Sequence, residues 1–247
     1  MDVKVEREGT QEYKSAREVN FQFRLFNQWF APGERAAIRT KANQDDVDAI
    51  AAVVNNASRL ADYVIVTIHA HQELGKRELP AEFLQPFAHA MIDAGADVFV
   101  GHRPHVLRGI ELYGGRPILY SLGDFMFQNE TLQRLPSGNY DSYSLDDDAH
   151  VADFNDDRYA NDSEGFPANP EIWEAVVAVP VFDGQTLKQM ALHPITLGHG
   201  LPRQVRGRPV FASGDLAEKI IDDLRERSAP YGVEIDMRRG VGYVSIN

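Results

Sequence analysis

Histidines follow two short apolar runs in the middle of the chain. The first run is followed by His69 and His71, and the second by His102 and His105. Imidazole is a common metal ligand at neutral pH, and two histidines three residues apart in a loop can turn toward one ion. A hydrogen-bonded core position is the alternative for any single histidine. That alternative weakens when a second histidine loop ends a neighbouring strand, so the pattern predicts a metal site.

The two apolar runs have the length and composition of buried strands. Residues 64–68 form a continuous apolar run, which is typical of a strand covered on both faces, and residues 96–100 are predicted to form a second buried strand. A helical segment over residues 82–94 separates them. Ligands of open α/β sheets bind at the carboxyl ends of the strands. Both histidine groups fall at such ends, so the sequence predicts one site at that edge of the sheet.

Three further polar residues lie near the histidine loops. Glu73 could orient a histidine by hydrogen bonding to it, and Arg103 could bind a phosphate or carboxylate with two parallel hydrogen bonds. Asp124 follows the tight turn suggested by Gly123 and could be a ligand, a base or a cap. Solvent exposure is the alternative for His71, Glu73 and Arg103, and the sequence leaves both readings open.

The remaining histidines have no partner that the sequence reveals. His89 lies in the middle of a predicted helix, and His150, His193 and His199 lie in loop or strand contexts. Unpaired surface histidines are common, and these four are interpreted as structural.

Composition excludes several classes of function. The formal net charge is −12 and the pI is about 5.1, which argues against a nucleic-acid or anionic membrane surface. The chain has no cysteine, which excludes disulfides, zinc–thiolate sites and thiol catalysis. No run approaches the roughly 18 apolar residues of a membrane span, and the first residues lack the apolar core of a signal peptide. The compartment stays open.

The chain is interpreted as a single domain over residues 1–247 that carries one insertion. Residues 128–170 are rich in acids, asparagine and serine and poor in aliphatic residues, a composition that resists burial. They are predicted to form a long, mobile acidic loop at the rim of the site. The other predicted elements are a helix from about residue 45, a hairpin over 110–121, strands over 173–181, 187–193, 233–235 and 241–246, and a helix over 215–227.

Three stretches resemble one known family. They are residues 64–73, the segment around Gly101-His102-Arg103-Pro104-His105, and residues 118–125. Together they resemble the bacterial capsule (poly-γ-glutamate) synthesis proteins of the CapA type, whose fold is similar to that of calcineurin-like metallophosphatases. The resemblance implies a four-layer α/β/β/α sandwich with a dinuclear metal centre. His69, His102 and His105 match the metal-ligand histidines of the family.

The sequence departs from the family pattern in two ways. Asp124 stands where asparagine is usual, and His71 stands where glycine is common. The family also carries a strand ending in Gly-Asp, a further aspartate and an Asn-His pair, and none of these occurs before residue 60. The chain therefore looks like the C-terminal half to two-thirds of a member, incomplete at its N-terminus.

Three functions remain open at this stage. The first is a metal-dependent phosphoesterase-like protein of cell-envelope polymer metabolism, with Mn, Zn or Mg as the divalent metal. His71, Glu73 and Asp124 would then be catalytic, and Arg103 would hold a phosphorylated or γ-glutamyl substrate. The second is a non-catalytic binding or assembly component for an anionic capsule polymer. The third is a mononuclear hydrolase with three histidines and a water.

The same resemblance suggests partners and activity. It implies association with other capsule-synthesis proteins and a location in the cell envelope or cytoplasm. A half-site of three histidines predicts that the chain binds a divalent metal while having weak or no phosphatase activity.

Overall fold

The computed structural model describes residues 3–9, 23–25, 28–32, 37–146 and 148–246. This part of the chain forms three sheets and six α-helices. Every helix within it is too short or too polar to cross a lipid bilayer. The strands are β1 (Val3–Gly9), β2 (Phe23–Leu25), β3 (Gln28–Pro32), β4 (Ala37–Ala42), β5 (Ile65–His69), β6 (Val98–His102), β7 (Ile110–Tyr113), β8 (Arg116–Leu119), β9 (Glu174–Asp183), β10 (Thr186–Thr196), β11 (Val210–Phe211), β12 (Ile235–Arg238) and β13 (Val241–Val244). The helices are α1 (Gln44–Ala57), α2 (Leu84–Asp93), α3 (Ser137–Asp141), α4 (Val151–Arg158), α5 (Gly165–Ala168) and α6 (Gly214–Ser228).

A four-stranded mixed sheet carries the histidine loops. Its strand order is β5-β6-β8-β7, with β5, β6 and β8 parallel and β7 antiparallel to β8. β7 and β8 form the predicted hairpin, which turns at Gly114 and Gly115 with positive φ at both. The parallel pairing of β5 with β6 confirms that the two apolar runs are neighbouring strands. Their histidines therefore emerge at the same edge of the sheet.

Helices α1 and α2 cover one face of this sheet. The Asn43 side chain caps α1 by accepting a hydrogen bond from the Asp45 backbone N–H, so the helix begins where the acidic residues predicted it. Buried residues of both helices pack against Phe99 and Ile118 of the sheet. The buried residues are Val47 and Val54 of α1 and Leu84, Phe87, Ala88, Met91 and Ile92 of α2.

The opposite face of the histidine-bearing sheet shares a core with α6 and with a five-stranded sheet, which is called the second sheet below. The second sheet has the order β11-β10-β13-β12, with β9 paired to the long strand β10. Met190 and Leu192 of β10 and Ile221 of α6 join Val98 and Leu119 of the first sheet in one apolar cluster. The fold is therefore mixed α/β, and the histidine-bearing sheet lies between a helical layer and a second sheet.

The expectation that the strand over residues 64–68 is covered on both faces is wrong. Ile65 is 62% exposed, and Thr67 and His69 are exposed with it, while Val66 and Ile68 pack toward the helices. β5 is the edge strand of its sheet in the described part of the chain. A continuous apolar run does not distinguish an edge strand from a central one, which is why the sequence overstated its burial.

The expectation of an irregular loop over residues 128–170 is also wrong, because α3, α4 and α5 lie within it. The cause is a pair of arginines from a distant part of the chain. Arg206 is only 4% exposed and bridges Glu130 at 2.6 Å and Asp162 at 2.8 Å, and Arg203 bridges Asp162 at 3.0 Å. The amino-acid composition of the segment shows its acidic residues but not the arginines from elsewhere in the chain that neutralise them. The mobility of the segment stays a prediction.

The ion pairs also lower the pKa of Asp162. Burial alone would raise the pKa of Asp162, but hydrogen bonds from Arg206 and Arg203 outweigh it and lower the pKa below its ordinary value of 3.8. A carboxylate with a depressed pKa stabilises the folded state above its unfolded-state pKa. That stabilisation is lost as the pH falls through the folded-state pKa.

We expect Arg206→Met to destabilise the fold by about 3 kcal/mol at pH 7, because it removes the ion-pair partner of the partly buried Glu130 and leaves Asp162 with Arg203 alone among the described residues. The free energy of unfolding from urea denaturation measures the loss. The difference from wild type should shrink as the pH falls below about 4, where the carboxylates become protonated. Arg238→Met is the control, since its pair with Asp236 is exposed and should contribute at most about 1 kcal/mol. Equal losses in the two variants would contradict this account.

Gly101 permits a close approach between β6 and the chain that follows β8. A Cβ at this position would lie 2.4 Å from the Tyr120 carbonyl oxygen, a backbone atom that cannot turn aside. We expect Gly101→Ala to cost about 1–3 kcal/mol through overpacking. Gly138→Ala is the control, because nothing lies within 4 Å of its added Cβ and its φ is not positive. Thermal unfolding of both variants tests this, and an unchanged Tm for Gly101→Ala would refute it.

Candidate functional site

His69 and His102 lie side by side at the edge of the sheet. They end β5 and β6 and are register partners, and partners in a parallel pair project from the same face about 4.8 Å apart. Both side chains are exposed. Partial desolvation lowers the pKa of His102, and the neighbouring His69 lowers it further. The imidazole of His102 is therefore neutral near pH 7, the form that offers a lone pair.

The loop after β6 has an unusual backbone. Arg103 has φ 105° and His105 has φ 58°, although neither is glycine. Left-handed conformations of this kind cost of order 1–3 kcal/mol each and cluster at functional sites. Here they direct the Arg103 guanidinium between two imidazoles. Its Nε donates to His71 at 2.9 Å, and its Nη1 lies 2.5 Å from Nε2 of His105.

The carboxylate of Asp124 is hydrogen-bonded to the other ring nitrogen of His105. Nδ1 of His105 lies 2.9 Å and 3.0 Å from the two carboxylate oxygens of Asp124. A guanidinium has only donors, so Nε2 of His105 must accept from Arg103. Nδ1 therefore carries the proton and donates to Asp124. This carboxylate fixes the tautomer and orientation of His105, a role that the sequence analysis suggested for Glu73 and not for Asp124.

His71 belongs to the same cluster. Its ring lies 5.3 Å from that of His69, centroid to centroid. Partial desolvation lowers the pKa of His71, as do the positive charge of Arg103 and the nearby His69 and His105. His71 is therefore a neutral acceptor for Arg103 near pH 7, and its side chain is also exposed.

The predicted metal ligands do not form a complete site in this arrangement. His69 and His102 are adjacent, but the lone pair of His105 Nε2 is occupied by Arg103. Among the described residues, no group of three histidine or carboxylate side chains is arranged to hold one ion. The residues thus do not fit a closed three-histidine centre, and His69 and His102 share adjacent register positions. Metal binding by all three histidines stays a prediction.

Glu73 interacts with Arg108, a residue whose role the sequence analysis did not predict. Its charge acts on Arg108, which is buried to 1% exposure and donates to the backbone carbonyls of Arg77 and Gln72. Burial lowers the pKa of Arg108 to about 10 despite that nearby carboxylate. Arg108 therefore anchors the loop that follows His71. A single arginine in an apolar stretch gave no signal for this role.

Two phenylalanines form an aromatic wall beside His105. The ring of Phe166 lies 4.9 Å from that of His105, and the ring of Phe127 lies 6.2 Å from it. The Trp173 indole donates to the Phe166 carbonyl at 3.1 Å. Phe166 comes from the acidic segment, so this segment reaches the site. The sequence analysis expected this segment at the rim of the site but did not single out Phe166, because residues 105 and 166 are far apart along the chain.

The four histidines interpreted as structural lie outside this cluster. His89 bonds to buried Glu111 at 2.8 Å and stacks on Tyr113 at 3.8 Å. His150 caps α4, His193 contacts Phe211, and His199 contacts Trp173.

Comparison with known proteins identifies the family. The family described as bacterial capsule synthesis protein PGA_cap matches residues 5–129. An uncharacterized protein of Sinorhizobium fredii, y4sH, is 36% identical over 232 residues, which cover 88% of this chain and 48% of that protein. The PGA biosynthesis protein CapA of Bacillus subtilis is 44% identical over 82 residues, which cover 33% of this chain and 21% of that protein.

A third relative agrees. The capsule biosynthesis protein CapA of Bacillus anthracis is 45% identical over 67 residues, which cover 27% of this chain and 16% of that protein. The chain spans about half the length of the Sinorhizobium relative. Since the family match extends over half of the 247 residues and includes both histidine loops, the chain belongs to the bacterial capsule synthesis protein family PGA_cap.

Proposed function

We propose that this protein acts in capsule or poly-γ-glutamate biosynthesis and that Arg103 binds an anionic group of its substrate. The observation that carries the proposal is the guanidinium held between His71 and His105 by a left-handed backbone. A fixed, partly exposed guanidinium suits phosphate or carboxylate, which accept two parallel hydrogen bonds. The printed names of the Bacillus relatives, PGA and capsule biosynthesis, support a polymer intermediate as the source of that anion.

The chemistry we propose is proton transfer by His105 during hydrolysis of a phosphoester or γ-glutamyl bond. An anion that draws Arg103 onto itself would release Nε2 of His105. That nitrogen could then accept a proton from the attacking water. Asp124 is hydrogen-bonded to Nδ1 of His105 at 2.9 Å. Its carboxylate would stabilise the imidazolium that forms, as a carboxylate does in catalytic triads.

We also propose that a divalent ion, Mn, Zn or Mg, binds at His69 and His102, within the four-layer sandwich typical of metallophosphatases. Two exposed imidazoles at adjacent register positions, of which that of His102 has a lowered pKa, support this pair. A bound ion would act as a Lewis acid toward the substrate oxygen. The helices α1 and α2 with the two sheets would be three of the four layers.

A non-catalytic role is the second candidate. Arg103 occupies the nitrogen that His105 would give to a metal, and this observation favours a site that binds an anionic polymer without cleaving it. Both candidates share Arg103 as the anion anchor and differ in turnover.

We expect Arg103→Leu to weaken binding of γ-glutamyl-glutamate and of inorganic phosphate at least tenfold, because a hydrogen bond to a charged group contributes about 1.5–3 kcal/mol. Isothermal titration calorimetry with each probe measures the dissociation constants. Arg238→Leu is the control, as its side chain is exposed and lies on β12. Unchanged affinity in Arg103→Leu would reject the anion anchor. A loss in both variants would mean only a general charge effect.

We expect weak turnover together with histidine-dependent metal binding. Hydrolysis of a chromogenic phosphodiester with Mn, Zn or Mg should stay below roughly 1 s⁻¹, the low end of ordinary enzymes. Elemental analysis should find at most one ion per chain, lost in His69→Ala and His102→Ala and kept in the control His199→Ala. Two ions per chain, or faster turnover that vanishes in His102→Ala, would overturn the expectation. Full metal content in His102→Ala would reject the ligand pair.

A further inference from the structure

A cavity lies at the acidic segment, away from the Arg103 cluster. No member of that cluster lines its wall. Its volume is about 570 Å³, within the range of about 300–1,000 Å³ that small-molecule sites occupy. The first turns of α4 form one wall, and residues 128–133 and 203–204 form the others. The lining residues are Gln128, Glu130, Thr131, Leu132, Gln133, His150, Val151, Ala152, Asn155, Arg203 and Gln204.

The charges of this cavity are matched internally. Arg203 pairs with Asp156 at 2.7 Å and with Asp162 at 3.0 Å. Glu130 pairs with Arg206 at 2.6 Å. Neither an anion nor a cation would find an unpaired counter-charge among these groups, and either would have to compete with a partly buried ion pair. The cavity therefore suits an uncharged ligand.

One amide of the cavity is largely buried and yet open to it. Asn155 is 5% exposed, lies on the buried side of α4 and lines the cavity. Its side-chain amide makes no hydrogen bond to another residue of the described chain, and its atoms are not among the fully buried atoms that lack a partner. The amide is therefore free to donate to, and accept from, a ligand in the cavity.

The other polar groups of the wall have the same bonding character. Gln128, Gln133 and Gln204 each present a donor and an acceptor side by side, and the Thr131 hydroxyl, which donates to the Gln128 carbonyl at 2.9 Å, can still accept. A ligand hydroxyl also donates and accepts, so several neighbouring hydroxyls complement such a wall. Buried Val151 adds an apolar surface.

We propose that this cavity binds an uncharged polyhydroxylated ligand, a neutral sugar unit, with Asn155 as its central hydrogen-bonding group. The C–H face of the sugar ring would rest on Val151, and its hydroxyls would bond to the amides. This site is independent of the anion anchor at Arg103, and either can be wrong without the other.

The test is an NMR titration of the side-chain amide signals of the folded protein. The probes are the methyl glycosides of glucose, galactose, mannose and N-acetylglucosamine, each up to about 10 mM, ten times the dissociation constant of a weak millimolar site. We expect at least one glycoside to shift the signal of Asn155 in a saturable way. The affinity should fall at least tenfold in Asn155→Leu. Asn56→Leu, on the exposed side of α1, is the matched control and should bind as wild type does.

Three results would overturn the proposal. They are the absence of a saturable shift with every glycoside, unchanged affinity in Asn155→Leu, or shifts of these signals by inorganic phosphate or glutamate instead of the sugars. Should Asn155→Leu fail to fold, Gln204→Ala replaces it, since Gln204 is exposed. Loss of sugar affinity there supports the proposal, and unchanged affinity rejects it.

Discussion

The parallel pairing of β5 with β6, in the register that sets His69 opposite His102, is the constraint on which the site depends. A shift of one residue would turn one histidine to the opposite face of the sheet. The register is held by the burial of Phe99 against the helices and of Val98 against the second sheet. The close approach of Gly101 to the Tyr120 carbonyl draws the chain before Asp124 toward β6. One pairing thus brings three separate stretches of sequence to one edge.

Arg103 decides what this edge can bind. Two unit charges about 4 Å apart near a protein surface repel by about 4 kcal/mol, and a divalent ion roughly doubles this. A metal next to an arginine that bonds to both His71 and His105 therefore carries a large electrostatic cost, unless an anion lies between the two cations. Anion and metal would then bind cooperatively. The same guanidinium explains why His69, His102 and His105, which lie at one edge of the sheet, do not amount to a three-histidine centre.

Sequence reasoning reached the parts of the site that local patterns encode. Apolar runs with histidines at their ends located β5, β6 and the edge where they meet, and Gly123 indicated the turn before Asp124. It could not reach features that depend on distant residues. The exposure of Ile65 depends on which elements cover the sheet, and the order in residues 128–170 depends on Arg206, which pairs with Glu130 from 76 residues away. The hydrogen bond between Arg103 and His105 depends on two left-handed backbone angles, which the residue types in the sequence do not predict.

The acidic segment links the stability of the fold to the chemistry of the edge. Arg206 bonds to the segment through Glu130 and Asp162 and packs over Trp173 at 5.2 Å, and the Trp173 indole holds the Phe166 carbonyl. Phe166 in turn lies against His105. An apolar ring on one side of this imidazole and a carboxylate on the other restrict its rotation, so Nε2 points only toward Arg103 or whatever replaces it. The ion pairs that neutralise the segment are therefore also the interactions that hold the wall of the site in place.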